Sequence, residues 1–244
     1  MDWTDRGIVI NVHKHGESSA IVTLLTESHG RHAGLVRGGS GKRKSPLLQP
    51  GNLLQVTWRA RLEEQLGAYT CEMERAYSSA VLDDPARLAA LSSYCAIANS
   101  TLPERVDEPG VFEALVEMME TLPDQGWQAS YVKWELYLLT ELGYGLDLSS
   151  CAATEQTEDL IYVSPKSGRA VSKAAGAPYK SKLLPLPEFL INDEKPTGPE
   201  DILEGLELTG YFLSRFLDDH RGGTIPSARD RLIETLRKKP TGEA

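Results

Sequence analysis

The hydrophobic period of the chain changes once, at Asp83-Asp84-Pro85, and this change separates a half that reads as strands from a half that reads as helices. Before it, short apolar or alternating runs are divided by turn residues. Gly7 to His13 alternates with Ile8, Ile10 and Val12 on one face, Ala20 to Thr26 is an apolar, β-branched run, and Arg31 to Arg37 follows the turn-like Ser28-His29-Gly30. Beyond Pro50-Gly51-Asn52, Leu54, Val56 and Trp58 point one way along Leu53 to Arg61, while Gln55, Thr57, Arg59 and Arg61 point the other. After Gly67, Tyr69, Cys71 and Met73 alternate with Thr70 and Glu72. Five short strands in so little chain predict a small barrel, an OB-fold or an SH3-like barrel, over residues 1–80.

From Pro85 onward the spacing is helical. Asp84 is placed to cap a helix whose first position is Pro85, where a missing N–H costs nothing. Leu88, Leu91, Cys95 and Ala98 mark that helix, Phe112, Leu115, Val116 and Met119 a second, and Tyr131, Trp134, Leu138 and Leu142 a third that Gly143 ends. Leu203, Leu206, Gly210, Leu213 and Leu217 predict a fourth, and Ser227 is placed to cap a last one reaching about Leu236. Between Gly145 and Pro199 lies a poorly periodic insert with one strand at Leu160 to Val163, long for a structureless loop. The tail from Lys238 to Ala244 is expected to fray. The fold class is therefore α+β, a barrel followed by an all-α helical domain over 81–244 with its insert near 146–198. No internal repeat or low-complexity tract occurs.

The chain's 244 residues carry a formal charge of −9, which by itself argues against nucleic acid as a partner, but the charge is unevenly spread. Residues 1–80 hold ten Lys/Arg against eight Asp/Glu, and Ser28 to Leu62 holds Arg31, Arg37, Lys42, Arg43, Lys44, Arg59 and Arg61 with no acidic residue at all. The bland reading of such a run is a solvated surface. Gly38-Gly39-Ser40-Gly41-Lys42-Arg43-Lys44-Ser45 is not a nucleotide loop. The slots for the first glycine and the magnesium-holding hydroxyl are Val36 and Arg43, and the segment leads to Pro46 and Pro50 rather than to a helix. It reads as a flexible cationic loop suited to a phosphodiester backbone, beside a strand face bearing Gln55, Thr57, Arg59 and Arg61. Of the aromatic residues Trp3, Trp58, Tyr69 and Tyr77, alternation assigns Trp58 and Tyr69 to the core, so binding that is salt-sensitive and indifferent to base sequence is expected.

Chemistry of other kinds finds little support. No Gly-x-Ser-x-Gly elbow occurs, no Asp is spaced to orient His13 or His15, and the polar cluster His13 to Ser19 reads as a turn. Cys71, Cys95 and Cys151 are too far apart for a zinc knuckle or a redox pair. Cys151-Ala152-Ala153-Thr154 has the outline of a zinc knuckle with three ligands missing. No apolar run approaches the roughly 18 residues of a membrane span, and the N-terminus lacks the apolar stretch of a signal peptide, so a cytoplasmic protein without enzymatic activity, metal or cofactor is expected.

The segments Asp5-Arg6-Gly7-Ile8-Val9-Ile10, Gly16 to Thr26, Gly30-Arg31, Leu35-Val36-Arg37-Gly38 and Leu48-Gln49-Pro50-Gly51-Asn52 resemble the N-terminal domain of the RecO family of bacterial recombination mediators. Leu146 to Cys151, Tyr162 to Val171 and Ile225 to Arg229 extend the resemblance over nearly the whole chain. It implies an N-terminal OB-fold that binds single- and double-stranded DNA, and a helical domain that in some members holds a four-cysteine zinc site. It further implies strand annealing, help in loading recombinase, and the partners RecR and single-stranded DNA-binding protein, with association with the nucleoid during repair. By position, Arg31, Arg37, Lys42, Arg43, Lys44, Arg59 and Arg61 become the DNA contacts. The zinc site is degenerate: Cys151 matches the first ligand, but Thr154 stands at the second and Lys166 to Gly176 has no cysteine, leaving Leu160, Tyr162 and Val163 to hold the insert by packing. Rival readings are a barrel adaptor that docks acidic protein tails without binding DNA, and a hydrolase using His13 and His15.

Overall fold

The computed structural model describes residues 1–192, 195 and 197–238, so most of the expected frayed tail, 239–244, lies outside the described residues. Five strands, β1 (Asp2–His15), β2 (Ser19–Thr26), β3 (Gly30–Val36), β4 (Leu53–Arg59) and β5 (Ala68–Arg75), close into a barrel in the order β1-β2-β3-β5-β4. The expected alternation places Leu54, Val56 and Trp58 inside with Val22, Leu24, Val36 and Tyr69, all nearly inaccessible to water. The indole N–H of Trp58 is satisfied by the Leu66 carbonyl at 3.0 Å, as a buried indole requires.

Strand β1 departs from simple alternation. Its pairing with β2 runs Val9↔Leu24 and then Asn11↔Thr23, so Ile10 is an extra residue in a β-bulge. The bulge changes the parity of the strand. Ile8, Ile10 and Val12 therefore do not share one face: Val9 and Val12 pack on the barrel core, while Ile8 and Ile10 are buried outside it. The bulge is held by main-chain bonds, Val9 N–H to the Asn52 carbonyl and Gly51 N–H to the Val9 carbonyl.

Helix α1 (Tyr77–Ala80) is a single turn, and α2 (Pro85–Thr101) then begins as its sequence predicts, with Asp84 Oδ1 accepting from the N–H groups of Ala86 and Arg87. Helix α2 lies against β1, where the Cys95 thiol faces the Val9 carbonyl, and Leu91 packs so near Gly51 that a Cβ there would sit 2.6 Å from it. Helix α3 (Pro109–Thr121) follows. Helix α7 (Ser227–Arg237) packs on α2. Ser227 is the first residue of α7 and not its cap; its hydroxyl accepts from Arg231, and Pro226 occupies the cap position.

Packing divides the chain elsewhere than at the expected boundary near residue 80. Residues 1–124 with α7 form one compact unit, and residues 125–225 form the other. In the second, α4 (Trp127–Glu141), ended by Gly143 at φ 78°, packs on α6 (Pro199–His220). Gly205 permits that approach, since a Cβ would stand 2.9 Å from Val132, and buried Thr209 donates its hydroxyl proton to buried Glu135. The insert is not structureless. Strand β6 (Leu160–Val163) falls where expected and is flanked by β7 (Ala170–Ser172) and β8 (Leu184–Pro185) in a small sheet, with helix α5 (Lys173–Gly176) and a 3-10 turn at Ala177–Lys182 between the latter two.

Cys151 is buried in this insert. Burial opposes its thiolate, yet hydrogen bonds from the hydroxyls of Ser172 and Thr154 and the N–H groups of Ser172 and Ala153 outweigh that and bring the thiol down to about 6. Its loop thus directs several donors at the sulfur, while among the described residues no group of three or more His, Cys, Asp or Glu is gathered to hold a metal ion.

Candidate nucleic-acid interface

The seven basic residues of Ser28 to Leu62 reach different environments. Arg31 is turned inward: its Nε donates to the Leu102 carbonyl at 2.9 Å, a terminal nitrogen lies 3.4 Å from Glu104, and its side chain is only 15% exposed. The segment after α2 runs beside β3 at this point, with Arg105 N–H bonded to the Arg31 carbonyl and the Val106 carbonyl pressed against Gly30. Gly30 adopts φ 62°, and a side chain there would collide with that carbonyl. Arg31 therefore joins the barrel to the chain that follows α2, and is not presented to a strand.

The loop from Arg37 to Pro50 is a succession of turns rather than a slack connection. Gly39 N–H bonds to Val36, Gly41 to Gly38, Lys44 and Ser45 to Gly41, and Leu47 and Leu48 to Lys44. Ser40 ties the loop to the β1–β2 hairpin through its N–H to the Ser18 carbonyl and its hydroxyl to the Ser19 carbonyl, and Leu48 is buried in the barrel core. Lys44 is folded back, its ammonium 2.8 Å from the Arg37 carbonyl. Its charge reaches Cys71, whose thiol burial nonetheless pushes up to about 11. Arg37, Lys42 and Arg43 are exposed and, among the described residues, form no ion pair.

Register brings Arg59 near. Leu35 of β3, Ala68 of β5 and Arg59 of β4 lie in one row, so β3 and β4 both end there, two strand spacings or about 10 Å apart. Arg37 and Arg59 share the outward parity of that row. Arg59 meets Asp2 at 3.9 Å with both side chains well exposed, a pairing worth little in water, and Arg61 is exposed without an ion pair among the described residues. Arg37 and Arg59 thus meet at this edge, and Lys42 and Arg43 in the loop after β3 and Arg61 just past β4 are exposed beyond its ends.

The strand face expected to extend the groove is shorter than its sequence implies. Gln55 lies opposite Glu72, Glu74 holds Arg6 through paired hydrogen bonds, and Glu63 and Glu64 follow Arg61. The acid-free stretch is therefore bounded by carboxylates, Glu63 and Glu64 next in sequence and Glu72 brought opposite by pairing. Lys14, passed over within the His13 to Ser19 cluster, sits exposed beside a cleft of about 370 Å³ that Asn11, Ser40, Ser45 and Gln49 also line. The signal that finds it is the hairpin, which pairs Lys14 with Ala20 next to the loop's anchor. His13 and His15 are exposed at the end of β1, with the His13 ring bonded to the Asn11 amide.

Aromatic platforms are absent from this edge among the described residues. Trp58 and Tyr69 are buried as alternation predicts, and Trp3 stacks on His29 at 4.0 Å and on Trp58 at 5.6 Å, so both its faces are covered. The His29 ring is in turn hydrogen-bonded through Nδ1 to Asp5 at 2.8 Å. His32 points into the same cluster, bonded to the Tyr69 hydroxyl at 2.7 Å, and burial, with the charges of Arg105 and His29, lowers its imidazole to about 4. The edge can hold phosphates through point charges and offers bases little to stack on.

Residues 1–77 match the family model described as Recombination protein O N terminal, and residues 82–223 match Recombination protein O C terminal. The break between the two models coincides with the change of hydrophobic period. Proteins named DNA repair protein RecO are similar over almost their whole length: that of Rhodospirillum centenum is 49% identical, covering 99% of this chain and 97% of the relative. That of Rhodospirillum rubrum is 45% identical over 98% and 97%, and that of Nitrobacter hamburgensis 49% over 98% and 95%. The barrel, the helical half and these matches together make the chain a member of the recombination protein O family.

Proposed function

We propose that the protein is a non-catalytic mediator of DNA repair and recombination, which binds single- and double-stranded DNA along the barrel edge formed by Arg37, Lys42, Arg43, Arg59 and Arg61. The observation that supports this reading is a set of exposed cations, four of them without any ion pair among the described residues, held at one edge of a chain whose net charge is −9. Cations left unpaired on an acidic protein favour a polyanion.

Annealing two complementary strands makes and breaks no covalent bond. It needs cations that offset the repulsion between two backbones while leaving the bases free, and an edge with point charges and no stacking platform meets that need. RecR and single-stranded DNA-binding protein are the partners this family membership proposes, with the remaining surface of the acidic helical half as the place for protein contacts and help in recombinase loading as the outcome. Among the described residues no helix is long and apolar enough to cross a membrane, and the proposed place of action is the cytoplasm, at the nucleoid.

An annealing assay with two fluorescently labelled complementary strands tests this. The wild type should accelerate duplex formation well above the spontaneous rate, and Lys42→Glu/Arg43→Glu should remove most of that gain. Wild-type protein that leaves the annealing rate unchanged while its cationic edge captures an acidic peptide would replace the mediator by the adaptor reading.

A further inference from the structure

The insert of the second unit carries a basic field of its own. From Leu160 to Pro187 the chain contains no Asp or Glu, but it contains Lys166, Arg169, Lys173, Lys180 and Lys182. Arg169 is committed to the fold, reaching Asp147 at 3.2 Å, Glu155 at 3.9 Å and the Ser150 hydroxyl at 3.4 Å. The four lysines differ from it: among the described residues none of them forms an ion pair.

Three of these lysines lie on the same short stretch of chain as an exposed aromatic ring. Tyr179 is 60% exposed in the 3-10 turn Ala177–Lys182, where Lys180 and Lys182 are exposed too, as is Lys173 at the start of α5 just before the turn. Residues three apart in a 3-10 turn eclipse one another, so Tyr179 and Lys182 lie on one face with Lys180 beside them. The turn is firmly seated, because Gly176 just before it packs against Tyr162 of β6 so closely that a Cβ would fall 2.5 Å from the ring. A single exposed tyrosine needs no explanation. An exposed planar ring on a fixed turn that also carries Lys180 and Lys182, with Lys173 just before it and none of the three in an ion pair among the described residues, fits one ligand chemistry closely, a base to stack on the ring and phosphates along the backbone. An acidic peptide would use the lysines and leave the ring without a role.

We propose that Tyr179, Lys173, Lys180 and Lys182 form a second contact for single-stranded nucleic acid, in the insert. This goes beyond the barrel reading. It supplies the stacking platform that the barrel edge lacks, and it gives one chain two separate places to hold a strand.

The test is photocrosslinking of the full-length protein to a single-stranded oligonucleotide containing 5-iodouracil, with peptide mapping, alongside binding by anisotropy. A cross-link at Tyr179 is expected. Tyr179→Phe should keep it, and Tyr179→Ala should abolish it and weaken binding about tenfold with little change in salt dependence. Lys180→Gln/Lys182→Gln should make the slope of log affinity against log salt shallower by about 1.4, at about 0.7 per phosphate contact. Cross-links confined to barrel peptides, with Tyr179→Ala binding as tightly as wild type, would overturn the proposal. A cross-link at Tyr179, with Lys42→Gln/Arg43→Gln binding as tightly and with the same salt slope as wild type, would uphold it while removing the barrel interface, so the two readings fail separately.

Discussion

Replacing Arg31 separates a cation that builds the barrel from one that meets a strand. Its Nε–H bond to the Leu102 carbonyl is charge-assisted and largely screened from water, the kind worth about 1.5–3 kcal/mol. Its contact with Glu104, which is 66% exposed, adds at most a few tenths. Arg31→Met keeps the aliphatic stem and should therefore cost about 2 kcal/mol of stability, or roughly 4–8 °C in the unfolding midpoint of the unit that contains the barrel. In the same protein at a temperature where it is folded, the slope of log affinity for a single strand against log salt should be that of wild type. Urea unfolding and a salt series in fluorescence anisotropy measure the two quantities. A variant as stable as wild type, with a slope shallower by about 0.7, would refute the assignment and return Arg31 to the DNA contacts.

Two further outcomes follow from the barrel's aromatic end. His32 is held near 4 where an unperturbed imidazole titrates near 6.5, so between those values the unfolded chain binds more protons and stability falls as pH falls. The contribution is whole above pH 6.5 and lost by about pH 4; it amounts to about 3 kcal/mol. His32→Gln should flatten that part of the stability–pH curve, and unfolding by urea at pH 4.5, 5.5 and 7.5 checks it; parallel curves for both proteins would contradict it. Gly34→Ala should cost about 1–3 kcal/mol, since a Cβ would lie 2.4 Å from the buried Tyr69 ring. Tyr69→Leu in the same chain should restore part of the loss, and a double variant no better than the sum of its parts would point to backbone strain instead.

Much of this architecture was readable where local chemistry and tertiary need agree. Leu54, Val56 and Trp58 alternate because one face of β4 is core, Asp84-Pro85 opens α2 because cap and first-turn preferences coincide, and Leu160 to Val163 is apolar because β6 is the centre of its small sheet. What was hidden depends on partners remote in sequence. The bulge at Ile10 is fixed by Asn52, Arg31 is captured by a carbonyl 71 residues away, and Trp3 is covered by His29. The candidate interface followed the same rule. A run of seven cations was visible, but Glu104, Asp2 and Glu72 enter it only through folding, and the bond that draws the Lys44 ammonium to the Arg37 carbonyl leaves no trace in composition.

The salt dependence of single-strand binding, compared between wild type and Lys42→Gln/Arg43→Gln by fluorescence anisotropy, tests the central claim most directly. Both residues are exposed and unpaired among the described residues, so the substitution should leave stability unchanged. Two lost phosphate contacts predict a slope shallower by about 1.4 and weaker binding at low salt. Identical slopes and affinities in the two proteins would contradict a barrel edge that holds the nucleic-acid backbone.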